Sequence, residues 1–174
     1  MNDQPQRRLF FALWPDEMLR CELIAARESL GKPSRRAVPA HNLHLTLVFL
    51  GDRPAAELPL ILAAGDAVSA PSFELVLDRF GWFRGARVAW LGAAVPEGGR
   101  ALVEALSAAL RARSLAFDRR DWVPHITLFR QVRERPAMPD IAPIPWSIQS
   151  FSLIESISGR PYQVLRTWPL HSCT

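Results

Sequence analysis

The sequence predicts a mixed fold of strands and helices built on one duplicated unit, and three observations carry that reading. The tetrapeptides His44-Leu45-Thr46-Leu47 and His125-Ile126-Thr127-Leu128 share one pattern. Each is preceded, in the same order, by an apolar run, a proline followed by acid, and leucines at helical spacing. The distances agree as well, since 29 residues separate Pro15 from His44 and 29 separate Pro96 from His125. With 174 residues and 49% hydrophobic content, the chain can bury the core of a single compact domain over residues 1–174, of one or two lobes.

The apolar run 9–14 opens the first unit as a strand, and Pro15-Asp16-Glu17 ends it with residues that suit a helix N-terminus. Leu19, Leu23, Ala26 and Leu30 then recur at helical spacing. The tract 44–50 is a short strand closed by Gly51-Asp52. Side chains two apart on a strand share a face, so Leu45 and Leu47 are expected in the core, with His44 and Thr46 on the opposite side. A helix is predicted over 54–70, with Leu58, Ile61, Leu62 and Val68 as its apolar positions and Pro71 as its stop. Strands follow at 73–80 and 87–93 around a turn at Trp82-Phe83-Arg84-Gly85. In the second unit the apolar run 88–95 leads through Pro96-Glu97 into a helix marked by Leu102, Leu106 and Leu110. The strand from His125 places His125, Thr127 and Phe129 on one face. Prolines over 136–145 exclude a helix there, 147–157 alternates as one strand, and Ser158-Gly159-Arg160-Pro161 turns into a last strand at 162–168.

Half of the four histidines and half of the four threonines fall in the two tetrapeptides. His41, His171, Thr167 and Thr174 lack such a context and read as loop or surface positions. A lone histidine beside apolar residues is more often structural than functional; two in duplicate settings reverse that preference. Neutral imidazole accepts a proton near pH 7 and imidazolium donates one, so a facing pair can serve as base and acid in a single step. Hydrolysis of a cyclic phosphodiester requires both. Threonine hydroxyls beside the rings can donate to nonbridging phosphate oxygens, where charge develops in the transition state.

No carboxylate or cysteine cluster accompanies either motif, and Cys21 and Cys173 lie far apart, so the expectation is metal: none and no other cofactor. Lys32, the only lysine, does not sit in the motif of an ATP-dependent ligase, and no phosphate-cradling glycine loop accompanies it. Net charge is +4, with nearly all the positive charge carried by arginine, in clusters at Arg7-Arg8, Arg35-Arg36, Arg84 with Arg87, Arg111 with Arg113, Arg119-Arg120, and Arg130, Arg133 and Arg135. That balance favours an anionic partner such as RNA. Residues 1–8 are short and polar and no apolar run reaches eighteen residues, which predicts a soluble, unexported, cytoplasmic protein with no membrane partner.

The paired motifs, their separation, the opening Arg8-Leu9-Phe10-Phe11-Ala12-Leu13 and the stretch Arg87-Val88-Ala89-Trp90-Leu91-Gly92 resemble the 2H phosphoesterase superfamily. Within it the chain is most similar to bacterial RNA 2',3'-cyclic phosphodiesterases, also called 2'-5' RNA ligases, over residues 7–168. The resemblance implies a bilobal α+β fold, in which two antiparallel sheets flank a central cleft, each contributing one motif strand, with helices outside. It implies hydrolysis of RNA ends or small oligonucleotides bearing a 2',3'-cyclic phosphate to the 2'-phosphomonoester, by a monomer. His44 would be the acid to the 3' oxygen, His125 the base for water, and Thr46 and Thr127 would hold the phosphate. Ligation would be the same reaction reversed, with a 5'-hydroxyl RNA end in place of water. Arg130 matches an arginine often found after the second motif, although simple alternation points it away from His125 unless a bulge or strand end redirects it. Phe10, Phe49, Trp82, Phe83 and Phe129 are candidates to stack on the terminal base. Two other readings stand beside this one: a related enzyme acting on a small cyclic nucleotide or cyclic ADP-ribose phosphate, and a binding module without turnover.

Overall fold

The protein is described by a computed structural model covering residues 5–172; residues 1–4, Cys173 and Thr174 lie outside it. Its elements are β1 (Gln6–Leu13), α1 (Glu17–Ser29), β2 (Arg36–Ala37), β3 (Leu45–Pro54), α2 (Leu58–Asp66), β4 (Phe73–Phe83), β5 (Val88–Ala93), α3 (Glu97–Arg111), β6 (His125–Arg130), β7 (Ile144–Ile148), β8 (Ser150–Ser156) and β9 (Gln163–Pro169). The fold is therefore α+β, with three helices against antiparallel strands among the described residues. No helix is long and apolar enough to cross a membrane.

The strands run in the order β7-β4-β5-β6-β3-β1-β8-β9, with β2 paired to β6. Where two separate sheets were expected, hydrogen bonding continues through a seam between β3 and β6. That seam is narrow, a single register pair of Leu45 with Ile126. Each motif strand thus lies at the inner edge of its own four-stranded group.

One face of the strands carries the main core. Leu9, Phe11, Leu13, Leu45, Ile126 and Leu128 meet Leu19 and Leu23 of α1, Ile61 of α2, and Leu102, Leu106 and Leu110 of α3. Burying each such side chain contributes roughly 1.5–3 kcal/mol, which is why the leucine positions of both motifs decide which face turns inward. On the other face a small cluster of Phe10, Ala12 and Ile154, flanked by Trp14, Phe49 and Tyr162, floors a cleft. Asp16 caps α1, its carboxylate accepting from the Leu19 amide at 2.8 Å.

Several boundaries differ from expectation. Gly51 does not close β3; it adopts φ +73° within the strand, at the register shift where Leu9 pairs Gly51 and Phe10 pairs Phe49. That is a glycine bulge, and pairing resumes beyond it as far as Pro54. The helix predicted from residue 54 begins at Leu58, after a short 3-10 turn at Ala55–Glu57. Strand β4 reaches Phe83 and β5 begins at Val88, so the turn between them falls two residues later than expected. The run expected as one strand over 147–157 changes partners at Gln149: β7 pairs with β4 in one group, while β8 pairs with β1 in the other. Pro145 sits in β7 opposite Val76, tolerated because β7 is an edge strand.

Candidate active site

The same local device orients both motif histidines. His44 follows a 3-10 turn at Ala40–Asn42, and its Nδ1–H donates to the Asn42 carbonyl at 2.7 Å. His125 does likewise, its Nδ1–H donating to the Val123 carbonyl at 2.7 Å. A carbonyl only accepts, so the proton of each neutral ring is fixed on Nδ1 and each Nε2 presents a lone pair. The Nε2 of His44 lies 3.1 Å from the Thr46 hydroxyl, within hydrogen-bond distance. Sequence parity anticipates the shared face; the carbonyl two residues upstream that selects the tautomer carries no sequence signature.

His44, Thr46, His125, Thr127 and Arg130 line one open cleft of about 820 Å³. Simple alternation would have excluded Arg130. The register of β5 on β6 passes from Trp90 opposite Thr127 to Ala89 opposite Phe129, leaving Leu128 as an extra residue. This bulge reverses the faces beyond it. Phe129, expected beside His125, is consequently buried in the main core, and Arg130 turns into the cleft. The remaining aromatic candidates Phe10, Phe49, Trp82 and Phe83 all line the cleft, as do Trp122 and Tyr162, which the sequence did not single out.

Aromatic rings enclose His44. Phe10 lies 4.8 Å from it, Tyr162 meets it edge-on at 5.4 Å and Trp14 stacks at 6.0 Å. This enclosure removes water from the ring, and burial pushes its pKa down to about 4. The Asn42 carbonyl opposes that shift, while the positive charges of Arg130, His125 and Arg20 add to it. His125, flanked by Phe83 at 5.1 Å and Trp90 at 6.0 Å, is also lowered by burial, against its hydrogen bond to Val123. Both rings are therefore neutral near pH 7 in the free protein. An anionic phosphate between them reverses the sign of the local charge and favours a proton on one ring.

Arg20 is a further residue that sequence reasoning passed over. It is buried and donates to three carbonyls, of Ala40 at 2.5 Å, Pro15 at 3.0 Å and Leu43 at 3.3 Å, while stacking over Trp14 at 5.6 Å. It thereby ties α1 to the turn that orients His44. Asn42 adds a second tie, its side-chain oxygen accepting from the Tyr162 amide at 2.9 Å. Only an arginine at a core-facing helical position hints at this in the sequence. Among the described residues no group of three His, Cys, Asp or Glu side chains is placed to hold a metal ion.

A family model, the 2'-5' RNA ligase superfamily, matches residues 15–160. The chain is 35% identical to an RNA 2',3'-cyclic phosphodiesterase of Thermus thermophilus, over 94% of this chain and 90% of that one. It is 37% identical to an RNA 2',3'-cyclic phosphodiesterase of Escherichia coli, over 96% and 98% respectively. Its fold superimposes on the crystal structure of E. coli LigT complexed with 3'-AMP with a TM-score of 0.81, covering 95% of this chain and 99% of that one at 34% identity.

Proposed function

This chain belongs to the 2'-5' RNA ligase superfamily, and from that premise we propose that it hydrolyses terminal 2',3'-cyclic phosphates of RNA to 2'-phosphomonoesters. The observation that carries the proposal is the matched pair of imidazoles, each with Nδ1 tied to a carbonyl, in one cleft beside two threonines and Arg130. His125 Nε2 takes a proton from water as the water oxygen attacks phosphorus. The bond from phosphorus to the 3' oxygen breaks, and that oxygen receives a proton from His44 Nε2. Thr46, Thr127 and Arg130 donate to the nonbridging oxygens, on which charge accumulates. Each proton-transfer role contributes roughly 10²- to 10⁴-fold in rate.

His44 must be protonated before it can act as the acid, although burial keeps it neutral near pH 7 in the free protein. The entering phosphodiester supplies the negative charge that offsets Arg130, Arg20 and His125, and so draws the proton onto the ring. With a 5'-hydroxyl RNA end as the nucleophile in place of water, the same step forms a 2'-5' linkage: His125 takes the 5'-hydroxyl proton, the bond from phosphorus to the 3' oxygen breaks, and that oxygen receives its proton from His44, while the excess of water favours hydrolysis. The chain is read as one domain of two lobes, since each motif strand borders its own group of four strands.

The test incubates the protein, without ATP and with excess chelator, with an RNA ending in a 2',3'-cyclic phosphate and identifies the product isomer. Full turnover to the 2'-phosphomonoester is expected. A 3'-phosphomonoester product would mean the other oxygen leaves, and activity lost with EDTA and restored by a divalent ion would overturn the two-histidine mechanism.

A further inference from the structure

A second concavity, of about 880 Å³, lies where β6 ends, lined by Gln131, the neighbour in sequence of the cleft's Arg130. Lys32 and Arg35 line it from the segment between α1 and β2, Arg36 from β2 itself, and Arg133 and Arg135 from the chain after β6. Glu134 is the one acidic side chain among the residues that line it. The two basic stretches are distant in sequence, and β2 joins them: Arg36 pairs with Arg130, and the Ser34 hydroxyl donates to the Arg130 carbonyl at 2.6 Å. Gln131 follows Arg130 with φ +58° and lines the groove, so the chain turns directly from the catalytic cleft into it.

Several arginines of the surface are neutralised by a carboxylate, and those of the groove are not. Arg7, Arg53, Arg79, Arg120 and Arg166 are each paired with a carboxylate. Lys32, Arg35, Arg36 and Arg133 are exposed and, among the described residues, enter no ion pair. Gathering like charges in a concave surface disfavours the empty state and focuses a positive potential there. Planar guanidinium forks match phosphate oxygens in pairs. A substrate whose reacting end occupies the cleft carries further phosphates upstream, at regular intervals along the strand.

We propose that this groove holds the internucleotide phosphates of the RNA strand leading into the cleft, so that the preferred substrate is an oligoribonucleotide end and not a free cyclic mononucleotide. The identity of the ligand rests on the cyclic phosphodiesterase reading, and the experiment separates the two. The variant R35Q/R133Q/R135Q is compared with R35K/R133K/R135K and the unaltered protein on two substrates, a short oligoribonucleotide and a mononucleoside, both ending in a 2',3'-cyclic phosphate. Loss of the three guanidiniums should raise KM for the oligomer about tenfold and reduce the slope of log affinity against log salt by about 2. KM for the mononucleoside and both kcat values should stay unchanged, and the lysine variant should recover most of the oligomer affinity. Fluorescence anisotropy with an oligoribonucleotide lacking the cyclic phosphate reads the groove even if no turnover occurs. Salt-sensitive binding lost in the glutamine variant would then support the groove while the proposed activity failed. Unchanged oligomer KM and binding, equal loss on both substrates, or preferential capture of an acidic peptide or anionic vesicles would overturn the proposal.

Discussion

His44 loses its proton more readily than a solvated imidazole because Phe10, Trp14 and Tyr162 shut water out and Arg130 and Arg20 repel the cation. His125 shifts in the same direction. In the proposed mechanism only the population with one ring neutral and one protonated is competent, and kcat/KM reports the free enzyme. The kcat/KM profile should therefore be a bell with its maximum below pH 6.5, while bound phosphate moves the kcat maximum upward; an initial-rate series over pH checks both, and a kcat/KM maximum above pH 7 would contradict the depressed values. The same residue affects stability. A histidine whose pKa falls on folding binds more protons when unfolded, so stability declines as pH falls through 6.5 toward about 4, on the order of 3 kcal/mol for His44. Replacing His44 or His125 by alanine should nearly abolish turnover, and a substrate with a low-pKa leaving group should partly rescue His44→Ala but not His125→Ala. At this scale parity made His44, Thr46, His125 and Thr127 legible. Arg20 and Tyr162 were not, because their roles arise from contacts across 20 or more positions of sequence.

Among the elements, bulges decide what the motif strands present. Leu128 is the extra residue that sends Phe129 into the core and Arg130 into the cleft, and no local pattern in His125–Arg130 marks it. The alternation over residues 147–157 was legible, whereas its division between two strand groups depends on partners supplied by β1 and β4. Strand pairing also builds the support under His125. Gly81 of β4 faces Trp90 of β5, and a methyl at Gly81 would come within 2.0 Å of the indole, which rests against Phe83 and His125. Gly81→Ala must move that ring, at a cost of about 1–3 kcal/mol for overpacking, and the displacement reaches the imidazole of His125. Denaturant unfolding and turnover should both register it, with kcat reduced. Gly85→Ala, where no atom lies within 4 Å, should leave both unchanged. A Gly81→Ala variant with native stability and rate would show that the cleft accommodates the shift.

Across the whole molecule, the two histidines belong to strand groups joined by a single register pair, so other contacts must hold the cleft to width. The Asp118 amide donates to the Phe49 carbonyl at 2.8 Å, and the Val38 amide to the Leu128 carbonyl at 2.8 Å. Trp122 is the side chain that spans the seam most directly. Its indole N–H donates to the Thr46 carbonyl at 2.9 Å, and its ring lies so close over Gly99 of α3 that a β-carbon there would sit 2.7 Å away. It therefore links the helix of the second unit to the motif strand of the first, one step from the hydroxyl that meets His44. Trp122→Phe keeps most of the ring contact and removes the donor, leaving a carbonyl at the seam without that partner. The expected loss of stability is about 1 kcal/mol, with the denaturant m-value unchanged because the fold is retained. Catalysis should suffer more than that figure implies, since a small change in the spacing of Thr46 and His44 from His125 disturbs in-line attack. The fall should appear in kcat for oligomer and mononucleoside substrates alike, because the phosphate site and not the basic groove is displaced. A Trp122→Phe enzyme with unaltered kcat would place the control of cleft width in the backbone bonds of Val38 and Asp118 instead.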